Sequence, residues 1–179
     1  MKNQNKTIKF EIFSIIFVSI LGTLLHFTFQ WSNNNNFVAA FSAINESTWE
    51  HLKLLFFPML ISSILGYFYL YKTVFNFWCA RIFGIIVSTS FVIVFFFTYT
   101  GILGNNIALI NIASFFISIL LGEFVSYTFM ISNLSCNNLK SLIIFIILFF
   151  LFVFFTYFPP KIGLFKDPIT NSYGIINNF

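Results

Sequence analysis

The sequence predicts an all-α integral membrane protein: a bundle of five transmembrane helices, with a short interfacial segment between the first two and an irregular C-terminal tail. Three observations predict it. Of the 179 residues, 59% are hydrophobic and only 8% charged, about a third of the charge that a soluble domain of this length carries. The apolar residues, 30 phenylalanines among them, fall into runs of span length. A water-facing globule this small cannot bury them, so they need lipid as solvent. Basic residues gather at alternate loops, as they do in multi-pass proteins. The lipid bilayer is thus the partner that composition identifies, while protein partners are not legible. The net charge of +4 is thinly spread, with no basic patch long enough for nucleic acid, which excludes that class. The abundance of Asn, Ile, Phe and Lys is what an AT-rich genome encodes and points to a bacterial cell membrane.

Taken in order, residues 1–179 read as one polytopic membrane domain with spans at about 10–29, 46–71, 80–100, 107–131 and 141–157. Lys2, Lys6 and Lys9 precede the first apolar run, Phe10 to Phe29, which is too long for the core of a cleaved signal and is read as an uncleaved first span. Gln30 to Asn36 is polar and turn-forming, and Phe37 to Ile44 is an interfacial or re-entrant segment. Asn45 is expected to cap a helix that starts at Glu46 and runs to Tyr71. At 1.5 Å per residue that helix is about 39 Å long, more than the hydrocarbon core requires, so its first turns lie at or above the interface. Pro58 is expected to kink it. Arg81 marks the start of the third span, Gly101 to Asn106 forms a tight turn, and Pro159 and Pro160 stop the fifth span.

Five spans put the two ends on opposite sides. The N-terminus, the second loop and the fourth loop hold Lys2, Lys6, Lys9, Lys72, Arg81 and Lys140, and the first and third loops hold none. The N-terminus is therefore expected in the cytoplasm and the tail outside, with Lys161 and Lys166 on the tail as the counterweight. Cys79 and Cys136 form no CxxC pair and fall on the side read as reducing, so they are expected as packed thiols rather than a disulfide. Ser114, Ser118, Gly122 and Ser126 recur every four residues. Ser62 with Gly66 and Gly84 with Ser88 repeat the device, and these stripes read as packing seams within the bundle.

The stretch from His26 to Lys53 holds both histidines and two of the acidic residues. The topology brings the end of the first span, the start of the second and the tail to one face. Candidate binding residues there are His26, Trp31, Asn45, Trp49, Asp167 and Tyr173. Glu46, Glu50 and Lys53 fall on one helical stripe at i, i+4 and i+7, whereas His51 points about 100° away. The pattern is not HExxH, whose histidines need i, i+4 spacing. A divalent metal remains a candidate cofactor if Glu46 and Glu50 meet His26, since two carboxylates and an imidazole suit such an ion with a position open for water. Candidate catalytic residues are Glu46, Glu50, His51 and Lys53, with one carboxylate as base and Lys53 or His51 tuning it. The purely structural reading stands beside these. Ser47-x-x-Glu50 fits a capping box, both acids favour a helix N-terminus, Lys53 can pair with Glu50, and Trp49 is an interface anchor. Glu123 is an intramembrane acid, either a relay group or a partner for Arg81 or a tyrosine hydroxyl.

NESTWEHLK at Asn45 to Lys53, with LHFTFQWSNNN before it and PPKIGLFKDPITNSYGI at the end, resembles a domain-of-unknown-function family of small polytopic membrane proteins from low-GC Gram-positive bacteria. The resemblance covers nearly the whole chain. Its implied pattern includes His26, Trp31, Asn45, Glu46, Trp49, Glu50, His51 and Lys53, and in the tail Pro159, Pro160, Asp167, Pro168, Thr170, Tyr173 and Gly174. Where the pattern has an acidic residue before the tryptophan and a glycine after Ser32, this chain has Gln30 and Asn33. The resemblance implies the architecture and no activity.

Three functional readings follow. One is a ligand-binding or transporter-like protein with its polar cluster at the external face. Another is a membrane-embedded, metal-assisted hydrolase acting on a lipid or envelope substrate. The third is a structural or assembly subunit using the small-residue seams. No inverted repeat supports a transporter, and no GxSxG or HExxH motif supports an enzyme.

Overall fold

The computed structural model describes residues 2–132, 134 and 136–175, without the side chains of residues 2 and 3. Residues 133 and 135 of the fourth loop and 176–179 of the tail lie outside it. Five long helices carry the fold: α1 (Lys2–Trp31), α3 (Thr48–Leu70), α4 (Phe77–Leu103), α5 (Ala108–Ile131) and α6 (Asn138–Tyr157). All five are long and apolar enough to cross a membrane. The short α2 (Asn36–Ala39) lies between α1 and α3, and a 3₁₀ turn, Gly163–Phe165, interrupts the tail. No strand occurs among the described residues. The fold class is the expected one.

The breaks between helices have local causes. Asn33 and Asn34 adopt the left-handed conformation at φ 55° and 58°, which short amide side chains tolerate, and so turn the chain out of α1. Gly104, at φ 68°, closes α4. Asn35 and Asn137 cap α2 and α6 through their side-chain oxygens. The lysine-bearing segment before Phe10 is also helical, so α1 reaches about 45 Å and overruns the hydrocarbon. The helix expected from Glu46 starts two residues later. Ser47 is its N-cap, accepting from the Glu50 N–H at 3.4 Å, while Asn45 Oδ1 accepts from the Ser47 N–H at 2.9 Å. Asn45 therefore caps the cap, and Glu46 lies outside the helix.

Helices α1, α3, α4 and α5 form a ring in which each packs on two neighbours, with α4 against α5 the most extensive seam; α6 packs outside on α4 and more lightly on α3. Small residues set the approach. A Cβ on Gly122 would lie 2.7 Å from the Gly84 carbonyl oxygen, and the Ser88 hydroxyl donates to the Ser118 carbonyl at 2.8 Å. These are the seams read from the sequence. A second close approach involves Pro58. Lacking an N–H, it leaves the Leu54 carbonyl without its helical donor. There α1 approaches α3 closely: a Cβ on Gly22 would lie 2.5 Å from that oxygen.

Two ends of the bundle can now be distinguished. At the amino-terminal end, Asn76 Nδ2 donates to the carbonyls of Phe129 and Leu134, and Asn138 Nδ2 to that of Phe75. This stitches the second loop to the fourth. Cys79 and Cys136 meet there and are joined as a disulfide, with Cα atoms 6.2 Å apart. The expectation of two separate thiols is thus corrected. The sequence separation of 57 residues hid a proximity that exists only once α5 returns the chain to the foot of α4. The opposite end holds α2, the start of α3 and the tail.

Candidate metal centre

At the tail end, three side chains converge: His26 near the end of α1, Glu46 before α3 and His51 in its first turn. Their ligand atoms all lie within 4.8 Å of one another. His26 Nε2 is 3.7 Å from Glu46 Oε1, and His51 Nε2 is 3.4 Å from Glu46 Oε2. Donor atoms about 2.1 Å from one tetrahedral ion sit about 3.4 Å apart, so the set must draw together to hold one.

Each member is aimed by its surroundings. His51 Nδ1 lies 2.9 Å from the Ser47 carbonyl. That bond places a proton on Nδ1 and turns Nε2 toward Glu46, the arrangement typical of metal-bound imidazoles. The His26 ring packs on Phe27 at 5.0 Å and on His51 at 5.4 Å. Its Nδ1 and Trp49 Nε1 are the buried side-chain polar atoms that lack a partner among the described residues. The Glu46 carboxyl is held below the usual carboxylate range, chiefly by its hydrogen bond from His51, against the opposing effect of burial.

The corner opens onto a cavity of about 290 Å³ lined almost wholly by apolar groups. Both imidazoles reach its wall, Gly22 and Leu54 lie in it, and Phe27, Ile112 and Phe116 stand at its lipid-exposed rim. Thr23, Asn111 and Ser114 are its remaining polar lining. Two of Asn111's bonds are local, accepting from the Tyr99 hydroxyl and donating to Asn106 at 2.7 Å.

The other sequence candidates are placed elsewhere. Glu50 does not join His26. It is buried and paired with Lys53 at 2.5 Å, and its Oε2 accepts from the Ile44 N–H at 3.1 Å. Lys53, with no exposed surface, also donates to the Ala39 carbonyl at 2.8 Å and to Thr156 Oγ1 at 3.0 Å. The pair locks segment 36–47 to α3 and α6. On a helix that included residue 46, Glu50 would share a face with Glu46; because the helix begins at Thr48, Glu46 lies on the His51 side instead. Asn45 Nδ2 donates to the Gly174 carbonyl at 3.1 Å and ties down the tail. Trp49 stacks on Phe152 at 4.6 Å and packs at a tilt on Phe165 at 4.7 Å. Asp167 is buried and organises the tail's own turn, accepting from the Ile169 N–H and the Thr170 hydroxyl. Tyr173 forms a bridge to Lys166. Trp31 is exposed and stacks on Phe27 at 5.7 Å.

A second ionic cluster lies toward the amino-terminal end. Arg81, fully buried, pairs with Glu123 through both terminal nitrogens and with Glu11 at 3.4 Å. It also donates to Ser63, Ser62, Ser14 and Ser126 at 2.8 to 3.2 Å. The Arg81–Glu123 pairing is one of those read from the sequence. Glu11 was missed. The available signal was an acid in the opening turns of an apolar run, which must find a cation or a proton.

The model of a family of unknown function, DUF6512, matches residues 1–175. No curated protein and no solved structure matches the chain.

Proposed function

The chain belongs to the DUF6512 family, which carries no assigned activity, and we propose that it binds a divalent transition metal through His26, Glu46 and His51 and uses it to hold a lipid-soluble ligand. The carrying observation is a three-ligand set at the mouth of an apolar cavity that opens toward lipid. Two imidazoles and one carboxylate suit Zn²⁺ or a similar ion and leave a coordination position free. The cavity would take an apolar chain, and the free position a polar head carrying an oxygen donor.

The test is elemental analysis of detergent-purified protein incubated with Zn²⁺ and then desalted. Wild type and Glu50→Gln are expected to retain a stoichiometric ion, whereas His51→Ala and Glu46→Ala lose it. A wild type without metal, or a His51→Ala protein that keeps it, overturns the proposal.

Hydrolysis is the second reading. The free position favours it, because a metal would lower the pKa of a water bound there to about 7, beside the cavity. Glu50 is committed to Lys53, so bound hydroxide would have to act without that carboxylate as base. Chelator-sensitive cleavage of a long-chain ester in vesicles, lost in His51→Ala, separates an enzyme from a binding protein.

For orientation we propose a cytoplasmic N-terminus and an external metal corner in a bacterial cell membrane. Lys2, Lys6, Lys9, Lys72 and Lys140 lie at one end, against Lys161 and Lys166 at the other. Arg81 no longer counts, being buried in the bundle. The Cys79–Cys136 bond weighs against this orientation, since disulfides favour oxidising compartments. A reporter fused after Phe179 should read external, and a cytoplasmic reading reverses the assignment.

A further inference from the structure

The Arg81 cluster holds one guanidinium and two carboxyl groups. Both Oε2 atoms, of Glu11 and Glu123, meet the same Arg81 Nη1. Both acids are buried, so two carboxyl groups converge on one guanidinium nitrogen out of reach of water. Two ionised carboxylates so placed repel each other, and a proton on one removes that repulsion and gives it an O–H to donate. Each helix of the ring contributes to the surroundings. Beside the acids, α1 and α5 supply Ser14 and Ser126, α3 supplies Ser62 and Ser63, and α4 supplies Arg81. None of these hydroxyls carries charge. With both acids ionised the cluster would hold a net negative charge among apolar helices, and such a charge is expensive at membrane depth. With one acid protonated, charges balance and a carboxyl–carboxyl hydrogen bond becomes available.

The cluster also has an outlet. Between α1 and α5 a groove of about 560 Å³ is lined by Ile8, Glu11, Ile12 and Ile15 on one side and by Leu120, Glu123 and Tyr127 on the other. Tyr127, a phenol, is the one further titratable side chain in its lining. The groove is shallow and otherwise apolar.

We propose that Glu11 and Glu123 form a membrane-level proton-binding site, one proton shared between two carboxyl groups over Arg81 and accessible from lipid through the α1–α5 groove. This site does not depend on the metal corner. Each acid serves as the other's acceptor, and Arg81 fixes the count of protons at one. Replacing a single acid with Gln preserves the neutral, hydrogen-bonded pair, so both single variants should fold.

The experiment is infrared spectroscopy of the protein in lipid vesicles at neutral pH. Wild type should show a carboxylic acid C=O band that shifts in D₂O and disappears in both Glu11→Gln and Glu123→Gln. Absence of that band from the wild type, or its survival in both variants, overturns the proton assignment. Access is read separately with dicyclohexylcarbodiimide, a lipid-soluble reagent that adds across the O–H of a protonated carboxyl to give a stable N-acylurea. Wild type should gain one adduct on Glu11 or Glu123, located by peptide mass spectrometry and lost as pH rises. Protein that shows the band but takes no adduct overturns the lipid-facing route.

Discussion

The two ionic clusters of this molecule are built in opposite ways. Around Arg81, most partners come from deep within the ring, four hydroxyls fill the remaining positions, and the guanidinium has no exposed surface. At His26, Glu46 and His51, the groups come from a helix end and a loop, remain half-exposed, and leave one imidazole nitrogen without a partner. Polar groups in apolar surroundings are stable only when satisfied. The first cluster meets that requirement with protein atoms and one proton. The second leaves part of it unmet, next to a cavity. The contrast separates charge that holds helices together from charge kept available for something else.

The largest expected effect tests the closed cluster. Arg81→Met leaves at least one carboxylate buried without its cation and should destabilise the fold by about 3–5 kcal/mol, read as loss of folded protein on denaturation in detergent. Equal stability of this variant and wild type would break the comparison. His51→Ala, by contrast, should abolish metal retention while lowering the stability of metal-free protein by about 1 kcal/mol or less, as expected for a half-exposed pair.

The smallest effect concerns pH. Glu46 has a folded pKa below its unfolded value, so its contribution is present above the unfolded carboxyl pKa of about 4.3 and is lost as pH falls through the lower, folded value. Metal-free wild type should therefore melt slightly above Glu46→Gln at neutral pH, with the gap closing in acid. Because Glu46 is 43% exposed, solvent screening keeps the gap small. A gap that widens in acid would show that Glu46 is not the ionised partner of the two imidazoles.

The spans were legible because lipid demands long apolar runs and the chain supplies five. The polar corner was legible in outline: alternating topology brings His26 to the start of α3, and Glu46 was named as its partner. The choice between Glu50 and His51 was not. It turned on where the helix begins, and that depends on Asn45 capping Ser47 rather than on periodicity. Glu11 was overlooked beside three lysines because its cation lies 70 residues away on α4. The same limit hid the disulfide, whose halves are adjacent only after α5 has crossed back. Long-range pairing of isolated polar residues leaves no periodic trace in a chain this uniformly apolar.

The cavity at the metal corner has its rim among Phe27, Ile112 and Phe116, all exposed on the outside of the bundle. A chamber that opens sideways among apolar side chains would be filled by lateral diffusion. The occupancy of the proposed ligand would then follow its mole fraction in the bilayer, not its concentration in water. Adding inert lipid at constant protein and ligand should therefore empty it, and titrations would be plotted on a scale of membrane composition.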